Sequence, residues 1–383
     1  MTSFVKYPLY FLLTLWLVLQ ALLFFKYGIV TTGEGPKYIA EAKFFETHGA
    51  FSQPKYIFYS SYIFLHIISN KLGAGFFGVY ILQLLLSLYA LICFYKLSRY
   101  ITGKQTTSII STLLLIICLP WQTWNTHLYT ESFFLSLCII FSCYLFKPAK
   151  VKSDFIILAI SFLLLLLARP TGILFIPVLM VALFYKLIKQ KRKWVATGII
   201  AAFLCTFILL LNYAMRGEGE FDFLKPFTEG HLICGVPGRL PDQPVLPANG
   251  NSIQGLLYYI THNPIQFFTL AGQRILLFFG MVRSHYSLSH NLYLAIYFYP
   301  IYLLAIAGGL AIHRINPGFN IFWITLVIVF SASVALTCDD WLNRFIMPVL
   351  PFIFLAAATG FMHMREKIIK KRLSFSDNLE KEK

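Results

Sequence analysis

Long uncharged runs and short polar breaks alternate along the whole chain. Apolar runs recur at about 8–25, 76–95, 105–120, 128–146, 155–168, 171–186, 194–214, 291–312, 319–337 and 345–362. Lipid offers backbone amides no water to bond, so such runs read as membrane-spanning helices. About ten spans is an even number and puts both termini on one side. The alternating short segments of an outer-membrane barrel are absent. The first run has Lys6 upstream and no small-x-small site after it, so it reads as a retained helix and not a cleaved signal. Two more apolar stretches, Tyr56 to Asn70 and Pro264 to Val282, carry His66 and Arg274. Counting either alone as a span would reverse the later loops, so both read as interfacial or re-entrant helices.

Charge orients this pattern. The segments on the side of the termini hold 20 of the 32 Lys and Arg, which puts that side in the cytoplasm. Acidic residues go the other way, so the +16 net charge is mainly an orientation signal and a contact with anionic lipid. Nothing in it points to nucleic acid. Hydrophobic residues make up 58% and charged residues 13%, which excludes a soluble domain. The expected architecture is an all-α polytopic domain over 1–362 with a basic cytoplasmic tail at 363–383. Outer loops would lie at 26–75 and 215–290, the second acting as a lid. Of the seven cysteines, Cys93, Cys118, Cys138, Cys143 and Cys205 sit in apolar runs as small hydrophobes. Only Cys234 and Cys338 fall in polar segments, and their pairing stays open.

With this topology the unusual polar groups gather at the outer rim. Glu34, His48 and Lys55 lie in the first loop, and His127 and Glu131 in the "WQTWNTHLYTE" turn. Arg169 follows in "LARPTG", and Asp339, Asp340 and Arg344 in "CDDWLNRF". The middles of the spans hold almost nothing ionisable, unlike a transporter or proton pump. A rim of this kind suits a site where a membrane-dissolved substrate meets one from outside. A carboxylate there can take a proton, and cations can hold a phosphate. No G-x-G-x-x-G, P-loop or DxD nucleotide-sugar motif occurs, and no CxxC pair suggests zinc.

Three stretches carry a family resemblance. Glu34, Tyr38 and Ala42 at four-residue spacing, followed by the "GAFS" of Gly49 to Ser52, resemble the first outer loop of GT-C glycosyltransferases. These enzymes use polyprenyl-phosphate sugars and include protein O-mannosyltransferases and the lipid A aminoarabinose transferase. "ARPTGILFIP", Ala168 to Pro177, is similar to the family's Arg-Pro helix start, and Asn343 to Gly360 to its last-helix signature. The resemblance implies an inverting transfer from a polyprenyl-phosphate sugar to a glycan, lipid or protein acceptor at the outer face of the cytoplasmic membrane. Glu34 would be the general base. Arg169, Arg344, Arg274 and Lys55 would hold the donor phosphate, and Tyr38, His127, Glu131 and Asp340 would line the substrate pocket. The family position is more often Asp, and Gly35 stands where a second acid is frequent, so metal assistance by a divalent cation stays open and no metal ligand is assigned. The alternatives are a lipid-linked glycan polymerase or ligase, or a non-enzymatic transporter.

Plainer roles compete residue by residue. Glu34 could be an ordinary helix-start acid. Glu41 and Glu46 pair with Lys37 and Lys43 at helical spacing and read as a solvated face. Glu131 and His127 stand between capping and a site role, while Arg344 and Asp340 form a candidate rim ion pair. Glu218, Glu220 and Asp222 read as solvated loop.

Overall fold

The computed structural model describes residues 6–381, apart from 149, 192–193, 196, 199–200, 202, 206–207, 210–211, 213–221, 239–243 and 247–249, with backbone alone for 371–381. Much of the expected span 194–214, together with Glu218 and Glu220, lies outside the described residues.

The helices are α1 (Lys6–Tyr27), α2 (Gly35–His48), α3 (Ser60–Lys71), α4 (Gly75–Thr102), α5 (Gln105–Ile117), α6 (Leu119–Gln122), α7 (Thr130–Phe146), α8 (Lys152–Leu166) and α9 (Phe175–Lys189). They continue as α10 (Lys225–Thr228), α11 (Ile253–His262), α12 (Pro264–Gly280), α13 (Leu288–Ile315), α14 (Pro317–Leu336) and α15 (Leu350–Lys381). The protein is an all-α, multi-pass membrane protein. Among the described residues six helices are long and apolar enough to cross a bilayer, or seven if α5 and α6 are one span bent by 65°. The described residues alone do not confirm the expected ten. Helices do stand at 128–146 and 155–168, but α7 and α8 have only 17 and 15 residues. α15 continues unbroken from the membrane into the basic tail.

The chain forms two compact units, divided within α9 at Pro177, within α13 at Pro300, and again at 320/321 and 349/350. Unit 1 comprises 1–176, 301–320 and 350–383; unit 2 comprises 177–300 and 321–349.

In unit 1 the break between α5 and α6 shapes the site. Pro120 cannot donate an amide hydrogen bond, and the backbone leaves the helical region at Cys118 (ψ 84°). The break frees the Leu115 carbonyl, and the Gln122 side-chain amide donates to it at 2.8 Å. The other end of Gln122 accepts from Trp16 Nε1 and Gln20 Nε2 of α1, at 3.0 and 2.8 Å. All three side chains are buried, so the carbonyl freed by the break is satisfied away from water. From α4, Gln83 donates to the carbonyls of Asn125 and His127, fixing the turn that follows.

Unit 2 is built around Leu224, Phe227, Tyr259, Phe267 and Leu270. The stretch before α11 is joined to the end of α14 by a Cys234–Cys338 disulfide, with Cα atoms 5.1 Å apart. Main-chain bonds run beside it, from Cys234 N to Asp339 O and from Asp339 N to Leu232 O.

Candidate functional site

Glu34 stands just before α2, where a helix-start acid would bond a free amide. Its side chain makes no such cap. Its Oε2 lies 2.9 Å from Lys37 Nζ and accepts from the Tyr38 hydroxyl at 3.2 Å. The side chain keeps about a third of its exposure (32%), so an incoming hydroxyl can reach it. Gly33 sets this geometry. It lies at φ +69°, and a Cβ there would fall 2.0 Å from the Tyr129 hydroxyl, which donates to Thr32 O. Val30 pairs with the His127 turn in a one-residue parallel bridge, so the strand leaving α1 is fixed against the turn before α7.

Tyr38 is the centre of the arrangement. It is buried, with the rings of Tyr59 and Tyr62 at 5.4 and 5.5 Å. Burial pushes its phenol well above the usual value; the charges of Glu131, Tyr59 and Glu34 push the same way, and Arg169 opposes them. The phenol therefore stays protonated as a donor to Glu34. Glu34, Lys37, Tyr59, Tyr62, Glu131 and Arg169 all act on this one ring.

Glu131 opens α7 and is buried, with Arg169 Nη1 at 2.5 Å. Arg169 precedes Pro170, which holds it extended (φ −158°, ψ 153°) and so starts the helical turn Pro170–Leu174 one residue later. Its guanidinium lies 6.0 Å over the Phe134 ring. His127 packs against Trp124 and Tyr129, and burial lowers its pKa. Lys55 is exposed, 5.5 Å over Tyr56, with no carboxylate in ion-pair range among the described residues.

The structure thus brings Glu34, Tyr38, His127, Glu131 and Arg169 together in unit 1, with Lys55 joined to them through the Tyr56–Tyr59–Tyr38 rings. Asp340 and Arg344 form an ion pair in unit 2, Arg344 Nη2 to Asp340 Oδ1 at 2.7 Å. Arg274 also lies in unit 2. It is fully buried, donating to the carbonyls of His231, Ala335 and Pro226 and stacked 4.2 Å over Phe227. A guanidinium held on three sides by main chain and on a fourth by a ring ties together the fold of unit 2.

Three groups escaped the sequence reading. Arg283 is buried and paired with Asp339 at 2.5 Å. Nothing in "GMVRSHY" marks it. Lys37 is the cation on Glu34, not merely a solvated face. Glu41 is buried, and both its oxygens accept from Ser52, from the amide at 2.7 Å and the hydroxyl at 2.5 Å. A solvated Glu41 is thereby corrected. The signal was present: with Tyr38 and Ala42 it falls on one face of the helix, at offsets of three and four. Among the described residues no three His, Cys, Asp or Glu side chains gather to hold a metal ion.

Residues 53–213 match the family described as dolichyl-phosphate-mannose-protein mannosyltransferase. Among solved structures the fold is similar to the archaeal oligosaccharyltransferase AglB from Archaeoglobus fulgidus, determined with an inhibitory peptide and a dolichol-phosphate. The TM-score is 0.53 at 12% identity, covering 98% of this chain and 52% of that one. The chain has the GT-C glycosyltransferase fold. It spans about half the length of AglB. No curated protein sequence matches it. Within the GT-C fold, the family match covers the turn carrying Lys55, the turn carrying Glu131 and the Arg169–Pro170 helix start.

Proposed function

We propose that this protein is a membrane glycosyltransferase that takes a sugar from a polyprenyl-phosphate donor. The GT-C fold and the match over 53–213 support that coarse reading. On the finer reading, Glu34 is the general base of an inverting transfer to a hydroxyl acceptor. The acceptor oxygen attacks the anomeric carbon as its proton passes to Glu34. The bond from that carbon to the phosphate oxygen breaks, and the lipid phosphate leaves with the electron pair. Lys55 receives the growing charge on the phosphate, with Arg169 as the further cation of unit 1. Tyr38 holds the Glu34 carboxylate, and Glu131 orients Arg169. The single observation that carries the assignment is a part-exposed carboxylate not used as a helix cap, bonded by a buried tyrosine.

The disulfide supports the expected orientation of the 215–290 loop. Such bonds persist outside the reducing cytoplasm, so Cys234 and Cys338 belong on the non-cytoplasmic side. That agrees with the distribution of Lys and Arg. Nucleotide sugars are absent from that side, which is why the donor travels on a lipid.

Purified protein with a panel of polyprenyl-phosphate sugars tests the proposal, scoring glycosylated acceptor and free lipid phosphate. Glu34→Gln is expected to lose about a hundred- to ten-thousandfold in rate while still binding donor. Full activity in Glu34→Gln would refute the base assignment. Turnover of a diphosphate-linked oligosaccharide alone would favour a glycan ligase instead.

A further inference from the structure

Glu41 has no part in the chemistry above, yet it is a buried carboxylate two turns from Glu34. Burying a charge costs several kcal/mol unless its oxygens are bonded, so its partners indicate what it does. Both oxygens go to a single residue, Ser52, eleven positions further on. The turn between them is the "GAFS" stretch, in which each position has its own task. Gly49 ends α2 in the left-handed region (φ 68°). Phe51 packs on Phe45 of α2 and lies 6.2 Å from Phe64 of α3. Ser52 presents its amide and hydroxyl to Glu41. Immediately after it, Gln53 is extended and Pro54 starts the helical turn Pro54–Tyr59. That turn carries Lys55, and also Tyr59, whose ring meets Tyr38 at 5.4 Å and Lys37 Nζ at 5.2 Å.

We propose that Glu41 is a positioning residue, whose bonds to Ser52 fix the Lys55–Tyr59 turn beside the Glu34 end of α2 and so set the affinity for the lipid-phosphate donor. The proposal rests on the glycosyltransferase reading. A helix-surface acid would bond within α2, whereas Glu41 reaches across to the next segment. Glu34 keeps its own bonds to Tyr38 and Lys37, which do not pass through Ser52. Loss of the clamp therefore misplaces the donor end of the site and leaves the base in position. In kinetic terms the donor KM rises and kcat holds.

The experiment measures kcat and donor KM for the full-length protein in detergent with a polyprenyl-phosphate sugar, alongside thermal stability. Glu41→Ala is expected to raise donor KM about tenfold with kcat within about twofold, and Ser52→Ala about threefold, both clamp bonds being lost in the first and only the hydroxyl bond in the second. Ser52→Thr, which keeps amide and hydroxyl, should restore the wild-type KM. The double variant Glu41→Ala/Ser52→Ala should be no worse than Glu41→Ala alone, because the two residues act through one contact. Should Glu41→Ala fail to fold, Ser52→Ala and Ser52→Thr carry the same comparison. Additive effects, or a lower melting temperature with KM unchanged, would overturn the inference while the glycosyltransferase reading stands. Wild-type protein that transfers no sugar from any donor would overturn both.

Discussion

The two units use arginine in opposite ways. In unit 1, Arg169 meets a carboxylate in a group of ionisable side chains that includes a part-exposed acid, all acting on one tyrosine. In unit 2, Arg274 and Arg283 are fully buried and tie together segments far apart in sequence. Arg274 joins 226, 231 and 335; Arg283 joins 277, 282 and the Asp339–Asp340 pair. A cation surrounded by main-chain carbonyls organises backbone, while one set among titratable side chains tunes them. Burial lowers the Arg274 pKa to about 10, so it remains charged at neutral pH.

The largest effect expected from this contrast is on stability in unit 2. Arg274→Met keeps the stem but strips three buried carbonyls of their donor, at a cost of about 4–5 kcal/mol. Thermal unfolding in detergent reads it directly. Glu34→Gln should leave the melting temperature nearly unchanged. A benign Arg274→Met would break the comparison and return Arg274 to the candidates for phosphate binding. Next comes the disulfide, which closes a separation of 104 residues. Its removal by Cys234→Ser/Cys338→Ser should cost about 3–4 kcal/mol. If the reduced protein unfolds at the same temperature, the main-chain bonds around Asp339 already hold that junction.

The legible and illegible parts of the chain follow the same division. Membrane character, helical class and the candidate residues of unit 1 could be read because they rest on hydropathy and on short local spacing, as in Glu34–Tyr38–Ala42. The bridge from Val30 to the His127 turn could not, since it joins residues almost a hundred positions apart. The carbonyl partners of Arg274 were illegible because an isolated cation in an apolar helix looks alike whether it serves a ligand or three carbonyls. Glu41 misled for the converse reason: a nearby lysine at helical spacing offered a ready partner, and the true one lay beyond a turn. Helix length was illegible too: α7 and α8 are apolar but shorter than a bilayer is thick.

His66 provides the smallest and sharpest test, because it is the unit 1 counterpart of Arg274. Both are buried on helices too short to span. Arg274 found three carbonyls and kept its charge; the Nε2 of His66 has no hydrogen-bond partner among the described residues, and its neighbour is the Tyr62 ring. Burial accordingly lowers its pKa from the usual 6.5 to about 4, so the folded protein holds it neutral. The sign follows. As pH falls below 6.5 the unfolded chain takes up the proton first, so stability present above that value is lost progressively toward pH 4 and then levels off. Between pH 7.5 and 5 the loss is about 2 kcal/mol. His66→Phe should flatten the dependence of melting temperature on pH across that window, whereas Arg274→Met should lower the whole curve without changing its slope there. An unchanged slope in His66→Phe would mean that a group on the folded protein accepts the imidazolium, and that unit 1 accommodates a buried cation as unit 2 does.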